Sequence, residues 1–314
     1  MASSTPSPRR RSGAAGSFVA RSTPLLLSAS VAGCHAITGL DDLWLRDETA
    51  ASTVAASTAT SGSTGTGGTP GVGGTGGAGG SGGAGGFPCD LDGGLSYAQT
   101  VLCDKPAAYW RFEELNPSDA KDEMGAYPAQ YIGTVTFGPD GIAGSNAPTF
   151  HAGGEGYVKV GDAFDFVGNE PYSFEAWVKP MATVPDFAGI VGKLLEGPMT
   201  QKQGYTLGLS TNGLFAARVR DNVTEGVSVG SPAEGEFTHV VMTYDGTTLK
   251  VYKNGKLAEG LESTPPIIAR DTPLTIGSYH DWAYFNGVID EVAVYEKALG
   301  DTRILAHYQA GIAN

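Results

Sequence analysis

From Tyr97 to the end, the chain is made of short apolar runs, each cut off within a few residues by Gly, Asn, Asp or Pro. The runs at 108–113, 156–160, 172–179, 189–193, 205–210, 214–220, 237–244, 249–252, 274–276 and 287–295 read as strands. Many short strands with turn residues at close spacing predict an all-β sandwich, two antiparallel sheets packed face to face. Asp245-Gly246 and Asn254-Gly255 supply the positive φ angles of tight turns, on either side of the run at 249–252. One segment, 301–310, reads as a helix, with Asp301 as its N-cap and Ile304, Leu305 and Tyr308 on one face. Roughly 200 residues are ample for one sandwich core.

The run Gly287-Val-Ile-Asp-Glu-Val-Ala-Val-Tyr295 follows an Asn286-Gly turn and alternates. Period two places Val288, Asp290, Val292 and Val294 on one side and Ile289, Glu291, Ala293 and Tyr295 on the other. A carboxylate among valines is expected to be paired, capped by backbone N–H groups or bound to a metal.

Composition divides the chain. Of the 26 residues from Ser61 to Gly86, 15 are Gly, and from Thr49 onward this tract is Ala, Ser, Thr and Gly with little to bury. Such a segment cannot offset the entropy of ordering and is expected to be disordered. The 55 steps from Cys34 to Cys89 would span about 40 Å r.m.s. as a Gly-rich coil. The formal charge is −13; four arginines and no acid precede Cys34, so the remainder carries −17. A field of that sign argues against nucleic acid as a partner and suits cations such as Ca²⁺.

Residues 1–34 read as an export signal. Arg9 to Arg11 and Arg21 form a basic start, and Pro24–Val31 is an apolar run far short of the ~20 residues that span a bilayer. The ending Val31-Ala-Gly-Cys34 resembles the lipobox of bacterial lipoproteins, which implies cleavage before Cys34 and lipidation of its thiol. Expected regions are the signal (1–34), a disordered tether (35–86) and a folded domain (87–314). Membrane contact would come through the lipid anchor alone, on an exported, cell-surface protein. Cys89 and Cys103 bracket the front of the domain. A disulfide between them would contribute roughly 3 kcal/mol in an oxidising compartment, the alternative being two free thiols.

Several motifs in order give the folded part a family likeness. Tyr109-Trp-Arg-Phe-Glu113 looks like an opening strand, Gly156-Tyr-Val-Lys-Val160 like a "YVxV" strand, and Tyr172-Ser-Phe-Glu-Ala-Trp-Val-Lys-Pro180 like "FTISAWVKP". Phe237-Thr-His-Val-Val-Met-Thr-Tyr-Asp-Gly246 looks like "WxHVAVTYDG", and Leu249–Gly255, Leu274–Gly277 and Phe285–Leu299 complete the order. The region from about Ala107 to Gln309 resembles the LamG-like jelly-roll modules of the concanavalin A-like lectin/glucanase superfamily. That resemblance implies a jelly roll, with Trp110 and Trp177 in its core.

It also implies two kinds of chemistry. Glycosidases on this fold carry paired carboxylates on one strand face. No E-x-D-x-x-E or E-x-D-x-E string occurs, and the adjacent pairs Asp290-Glu291 and Glu113-Glu114 are expected to point to opposite faces. The five histidines (35, 151, 239, 280, 307) form no ligand-spaced cluster, and His239 reads as a sheet residue. The chain therefore reads as no enzyme. Relatives often hold a rim Ca²⁺, for which Asp122 and Asp290 are the implied ligands. Gly156 and His151 stand where relatives carry acids, with Glu155 adjacent. For ligand binding, the loop Tyr279-His-Asp-Trp-Ala-Tyr284 is the expected site. Tyr279, Trp282 and Tyr284 would stack on sugar rings and Asp281 would accept hydroxyl hydrogen bonds. The expected partner is carbohydrate or a surface protein.

Overall fold

The computed structural model describes residues 89, 94–181, 187–197, 200–262, 266–268, 271–280 and 282–313. The signal, the lipobox Cys34, the tether and Asp281 lie outside the described residues. Those described form part of one unit, Asp41–Asn314.

The sandwich is built from sixteen described strands. In chain order they are β1 (Ala108–Trp110), β2 (Asp119–Ala120), β3 (Ala129–Ile132), β4 (Val135–Gly138), β5 (Ala147–Phe150), β6 (Tyr157–Gly161), β7 (Tyr172–Pro180) and β8 (Phe187–Gly197). There follow β9 (Thr200–Ser210), β10 (Gly213–Arg220), β11 (Val223–Val229), β12 (Thr238–Tyr244), β13 (Thr248–Lys253), β14 (Lys256–Glu262), β15 (Leu274–Ile276) and β16 (Gly287–Tyr295). Sheet one runs β14-β13-β12-β7-β16-β5-β4, with β1 also on β16; sheet two runs β11-β10-β9-β8-β15-β6-β3-β2. All pairings are antiparallel, so the predicted two-sheet jelly roll is what the chain forms.

Alternation along the strands gives three apolar layers. Between the sheets lie Trp110, Phe174, Tyr205, Leu207, Val240, Ile289, Val292 and Val294 among others. On the outer face of sheet one, Tyr109, Trp177, Tyr252, Ala293 and Tyr295 pack beneath two helices, α1 (Tyr97–Cys103), whose Tyr97 joins the layer, and α2 (Asp301–Ile312). On the outer face of sheet two, Leu194, Phe215, Ala217, Val219 and Tyr279 form a smaller layer. Trp177 is thus buried outside the sandwich, its ring stacked 5.9 Å from Tyr308 of α2, where the sequence placed it between the sheets. Its neighbour in register, His239, shares that face.

Helix α1 starts at a capping box: the Ser96 side chain accepts from Gln99 N–H while the Gln99 side chain accepts from Ser96 N–H. The Cys89–Cys103 disulfide is formed, with Cα atoms 5.5 Å apart, closing a loop that contains α1. Gly300, not Asp301, caps α2. Asp301 occupies the first turn and accepts from the Tyr252 hydroxyl at 2.7 Å. The helix buries Ile304, His307 and Gly311, while Leu305 is 37 % exposed, so its packed face is rotated from the predicted one. Gly311 has no room for a side chain: a Cβ would lie 2.3 Å from the Trp177 ring.

Candidate functional site

Strand β16 departs from simple alternation at its centre. Pairing with β7 slips between Asp290 and Ala293, and Glu291 takes φ +54. This is a β-bulge, which puts two successive residues opposite one partner. Asp290 and Glu291 consequently both meet the layer outside sheet one, and Ile289, Val292 and Val294 face inward. The prediction that the two acids diverge, and that Asp290 shares a side with Val292 and Val294, is corrected by that one inserted residue. Asp290 accepts from Ile142 N–H at 3.0 Å, from its successor's N–H at 2.9 Å and from the Ser145 hydroxyl at 3.4 Å. Glu291 accepts a short hydrogen bond from the Tyr109 hydroxyl and lies 3.5 Å from the Arg111 guanidinium. Burial, then the neighbouring Glu291 charge, holds Asp290 well above the usual carboxylate range. Burial also raises Glu291 to about 7, against the opposing pull of Tyr109 and Arg111. The pair is capped and enclosed, with Asp290 at 0 % and Glu291 at 3 % exposure.

A second buried constellation lies on the same face. Glu175 is fully buried, and its carboxylate receives the Tyr97 hydroxyl at 2.7 Å, the Tyr295 hydroxyl at 2.9 Å, His239 Nε2 at 2.8 Å and His307 Nδ1 at 2.9 Å. The other His307 nitrogen meets Asp104 at 2.7 Å, and Asp104 also pairs with Arg303 at 2.7 Å. Burial disfavours the Glu175 charge, but the two histidines outweigh it and hold the carboxyl well below its ordinary value. Burial likewise opposes a charged His307, yet the Glu175 charge and the Asp104 hydrogen bond lift it to about 9. An imidazole, a carboxylate, a second imidazole and a second carboxylate in sequence resemble a proton relay. All the hydrogen-bonding positions of Glu175 are occupied from within the fold, so the set fastens α1 and α2 to sheet one.

Asp122 is placed as a turn-former. Its two oxygens accept N–H groups from Tyr109 at 2.8 Å, Met124 at 3.0 Å, and Ala126 and Tyr127 at 2.9 Å each. Four donors use up the lone pairs of a carboxylate, and a calcium ligand must offer one. Asp290 is similarly engaged, and the two acids share no partner. As arranged, Asp122 and Asp290 do not fit a calcium ligand set. Among the described residues no group of three His, Cys, Asp or Glu is disposed to hold a metal.

The aromatic loop packs on the outer face of sheet two. Tyr279 and Trp282 exchange both backbone hydrogen bonds, at 2.9 and 3.0 Å, forming a tight hairpin. Gly189 N–H donates to Ala283 C=O at 3.0 Å, Phe285 N–H to Gly277 C=O at 2.8 Å, and the Ser278 hydroxyl to His280 C=O at 2.8 Å. His280 and Ala283 adopt positive φ, at +54 and +51. Tyr279 is only 3 % exposed and stacks at 6.0 Å on Phe215, whose ring lies beside Gly208, its cross-strand partner. Tyr279 therefore offers no open face to a sugar, a correction to the sequence reading. Trp282, half-buried, lies 5.5 Å from Tyr279, and half-buried Tyr284 lies 6.0 Å from Tyr157.

Residues 152–305 match the laminin-G-type family described as the concanavalin A-like lectin/glucanases superfamily. Over those residues the chain is similar to that superfamily. No curated protein matches it in sequence. Domain 4 of AbnA, a GH43 extracellular arabinanase from Geobacillus stearothermophilus, in complex with arabinotriose, superposes with a TM-score of 0.53 at 21 % identity, over 65 % of this chain and 98 % of that domain. The botulinum neurotoxin serotype G binding domain gives 0.51 at 12 % identity, over 65 % of this chain and 50 % of that one. The binding domain of Paraclostridial Mosquitocidal Protein 1 gives 0.50 at 14 %, over 64 % and 51 %. The chain thus spans about half the length of those two toxin domains.

Sequence spacing missed the Glu175 set because its members lie 64 and 132 residues apart. The signal available was a Glu in the middle of a largely apolar strand, Tyr172–Pro180, in which every other residue but Lys179 is buried.

Proposed function

We propose that the concanavalin A-like domain is a non-catalytic recognition module for carbohydrate, displayed outside the cytoplasm on a Gly-rich tether with a lipid at Cys34. The observation that carries this reading is the loop 277–285, where Trp282 rests on a buried Tyr279–Phe215 stack in a backbone pinned by paired hydrogen bonds. A rigid aromatic ring, exposed on one side, binds a sugar face with little ordering cost. The arabinotriose complex of a domain with the same fold supports the ligand class. The enclosure of Glu175, Asp290 and Glu291, each at 3 % exposure or less, supports the absence of hydrolysis, since a general acid must reach the scissile oxygen. The formed Cys89–Cys103 disulfide supports an oxidising compartment.

The test is an array of neutral oligosaccharides, arabinan fragments included, probed with the full chain and with Trp282→Ala. A specific signal that falls at least tenfold in the variant is expected. No signal from the wild-type chain on any glycan, with capture of a surface protein instead, would overturn the carbohydrate reading. Mass spectrometry of the membrane-associated protein, with Cys34→Ala as control, tests the anchor.

A further inference from the structure

The outer face of sheet two carries its aromatic side chains in a line across the strands. Phe215 on β10 stands opposite Gly208 on β9, and Gly208 stands opposite Gly189 on β8. The two glycines leave a trough in that face. The Phe215 ring leans over Gly208, and the Ser278 backbone occupies the space above Gly189, where a Cβ would collide with it. The loop 277–285 therefore crosses the sheet at this level. At its far end Tyr284 meets Tyr157, the first residue of β6, with ring centroids 6.0 Å apart. Val158 is fully buried between the sheets, so alternation turns Tyr157 outward, and Tyr284 lies on that outer side with it.

Strands β10 and β6 are four strand spacings apart, about 19 Å. Trp282 belongs to the β10 end, joined to Phe215 through Tyr279 by ring contacts of 5.5 and 6.0 Å. The Tyr157–Tyr284 pair belongs to the β6 end. The line thus holds two half-buried aromatic platforms, with only the methyl side chain of Ala283 between them in the chain. Polar groups gather beside the second platform. Gln130 on β3 is directly opposite Lys159 on β6, and both are exposed. Lys159 is two residues beyond Tyr157 and so shares its face.

One platform suits one sugar ring; two platforms on a common face suit a chain. Resting on the carbohydrate reading of the loop, we propose that this face binds an oligosaccharide lengthwise. One ring stacks on Trp282, a later ring stacks on Tyr157 and Tyr284, and hydroxyls near the second ring meet Gln130 and Lys159. The ligand is a stretch of glycan three or more residues long, and a single terminal sugar fills only part of the site. Both platforms are held in place, Tyr157 by a sheet strand and Trp282 by the paired hydrogen bonds of its hairpin. A chain that has stacked on one platform therefore presents its next residues to the other at high effective concentration. Affinity should climb with chain length until both platforms are bridged, then level off.

The experiment is isothermal titration of the full chain with linear arabino-, xylo- and cello-oligosaccharides of one to six residues. In at least one series, Kd should fall tenfold or more between two and four residues and change little beyond. Tyr157→Ala should remove that gain and leave the binding of one and two residues as it is, while Trp282→Ala weakens every length at least tenfold. Lys159→Ala, at an exposed position that the fold does not need, is the second variant and should weaken only the longer chains, by severalfold. Affinity that does not depend on length, or Tyr157→Ala and Lys159→Ala both equal to wild type at every length, would overturn the lengthwise site and leave recognition at Trp282 standing. No binding at any length in any series would overturn both.

Discussion

The two outer faces of the sandwich solve the same problem in opposite ways. Each sheet has an apolar outer surface to cover. Sheet one covers it with α1, α2 and a buried polar set of two carboxylates, two histidines and two tyrosines around Glu175. Sheet two covers it with its own aromatics, Phe215 and Tyr279, and a nine-residue loop at 277–285. The first face is closed, with Trp177 Nε1 and His239 Nδ1 left without hydrogen-bond partners. The second is thinly covered and leaves Trp282 half in water. On this fold, the face that fastens the chain and the face proposed to take a ligand are separate surfaces, so one can vary without the other.

The largest break in that contrast should come from Glu175→Ala. Removing the hub leaves His307, His239 and two tyrosine hydroxyls buried without their partner, so unfolding free energy should drop by about 3–5 kcal/mol. Urea denaturation at pH 7 measures it; a loss under 1 kcal/mol would mean the polar set does not hold the helices.

A middle effect concerns pH. Glu291 titrates near 7 when folded against 4.5 in a free side chain, so the folded state binds more protons between those values. Through this group stability should therefore fall as pH rises from about 4.5 to 7. Glu291→Gln should flatten that slope and gain on the order of 3 kcal/mol at pH 8. His307 acts in the same direction at higher pH: raised to about 9, it contributes stability that is complete below 6.5 and lost as pH climbs through 9. Urea midpoints across pH 4–10 for both the wild type and Glu291→Gln read both windows.

The smallest effect on stability belongs to sheet two. Trp282→Ala removes a half-buried ring and should lower stability by only about 1–2 kcal/mol, followed by thermal melting, while abolishing glycan capture. A larger loss would make the ring a structural lid.

The sequence made the central strands legible because β7, β12 and β16 are almost continuously buried and β-branched or aromatic, and because Asn254-Gly255 closes its hairpin with both residues at positive φ. It did not reveal β2 to β5, which are two to four residues long and mixed in polarity, or the edge strands β11 and β14, where partly to mostly exposed side chains erase the apolar signal. Helix α1 was signalled by the Ser96–Gln99 capping box, which seven residues of mixed character concealed. The bulge at Glu291 was illegible for a different reason. A non-glycine residue at φ +54 is fixed by what surrounds it, here Tyr109 and Arg111, and leaves no mark in the alternation. The candidate loop was found as a segment, but which of its rings is exposed depended on Phe215, sixty-four positions earlier.

The disulfide at Cys89 has a mechanical consequence. Tension arriving along the chain upstream of Cys89 passes through the sulfur bridge to Cys103 at the end of α1. From there it spreads to α2 through Asp104 and Arg303, and to the middle of sheet one through Tyr97 and Glu175. The load enters at the centre of a sheet, not at an edge strand that could be peeled away one rung at a time. A domain held against flow or a moving surface would yield only when that whole hub shears.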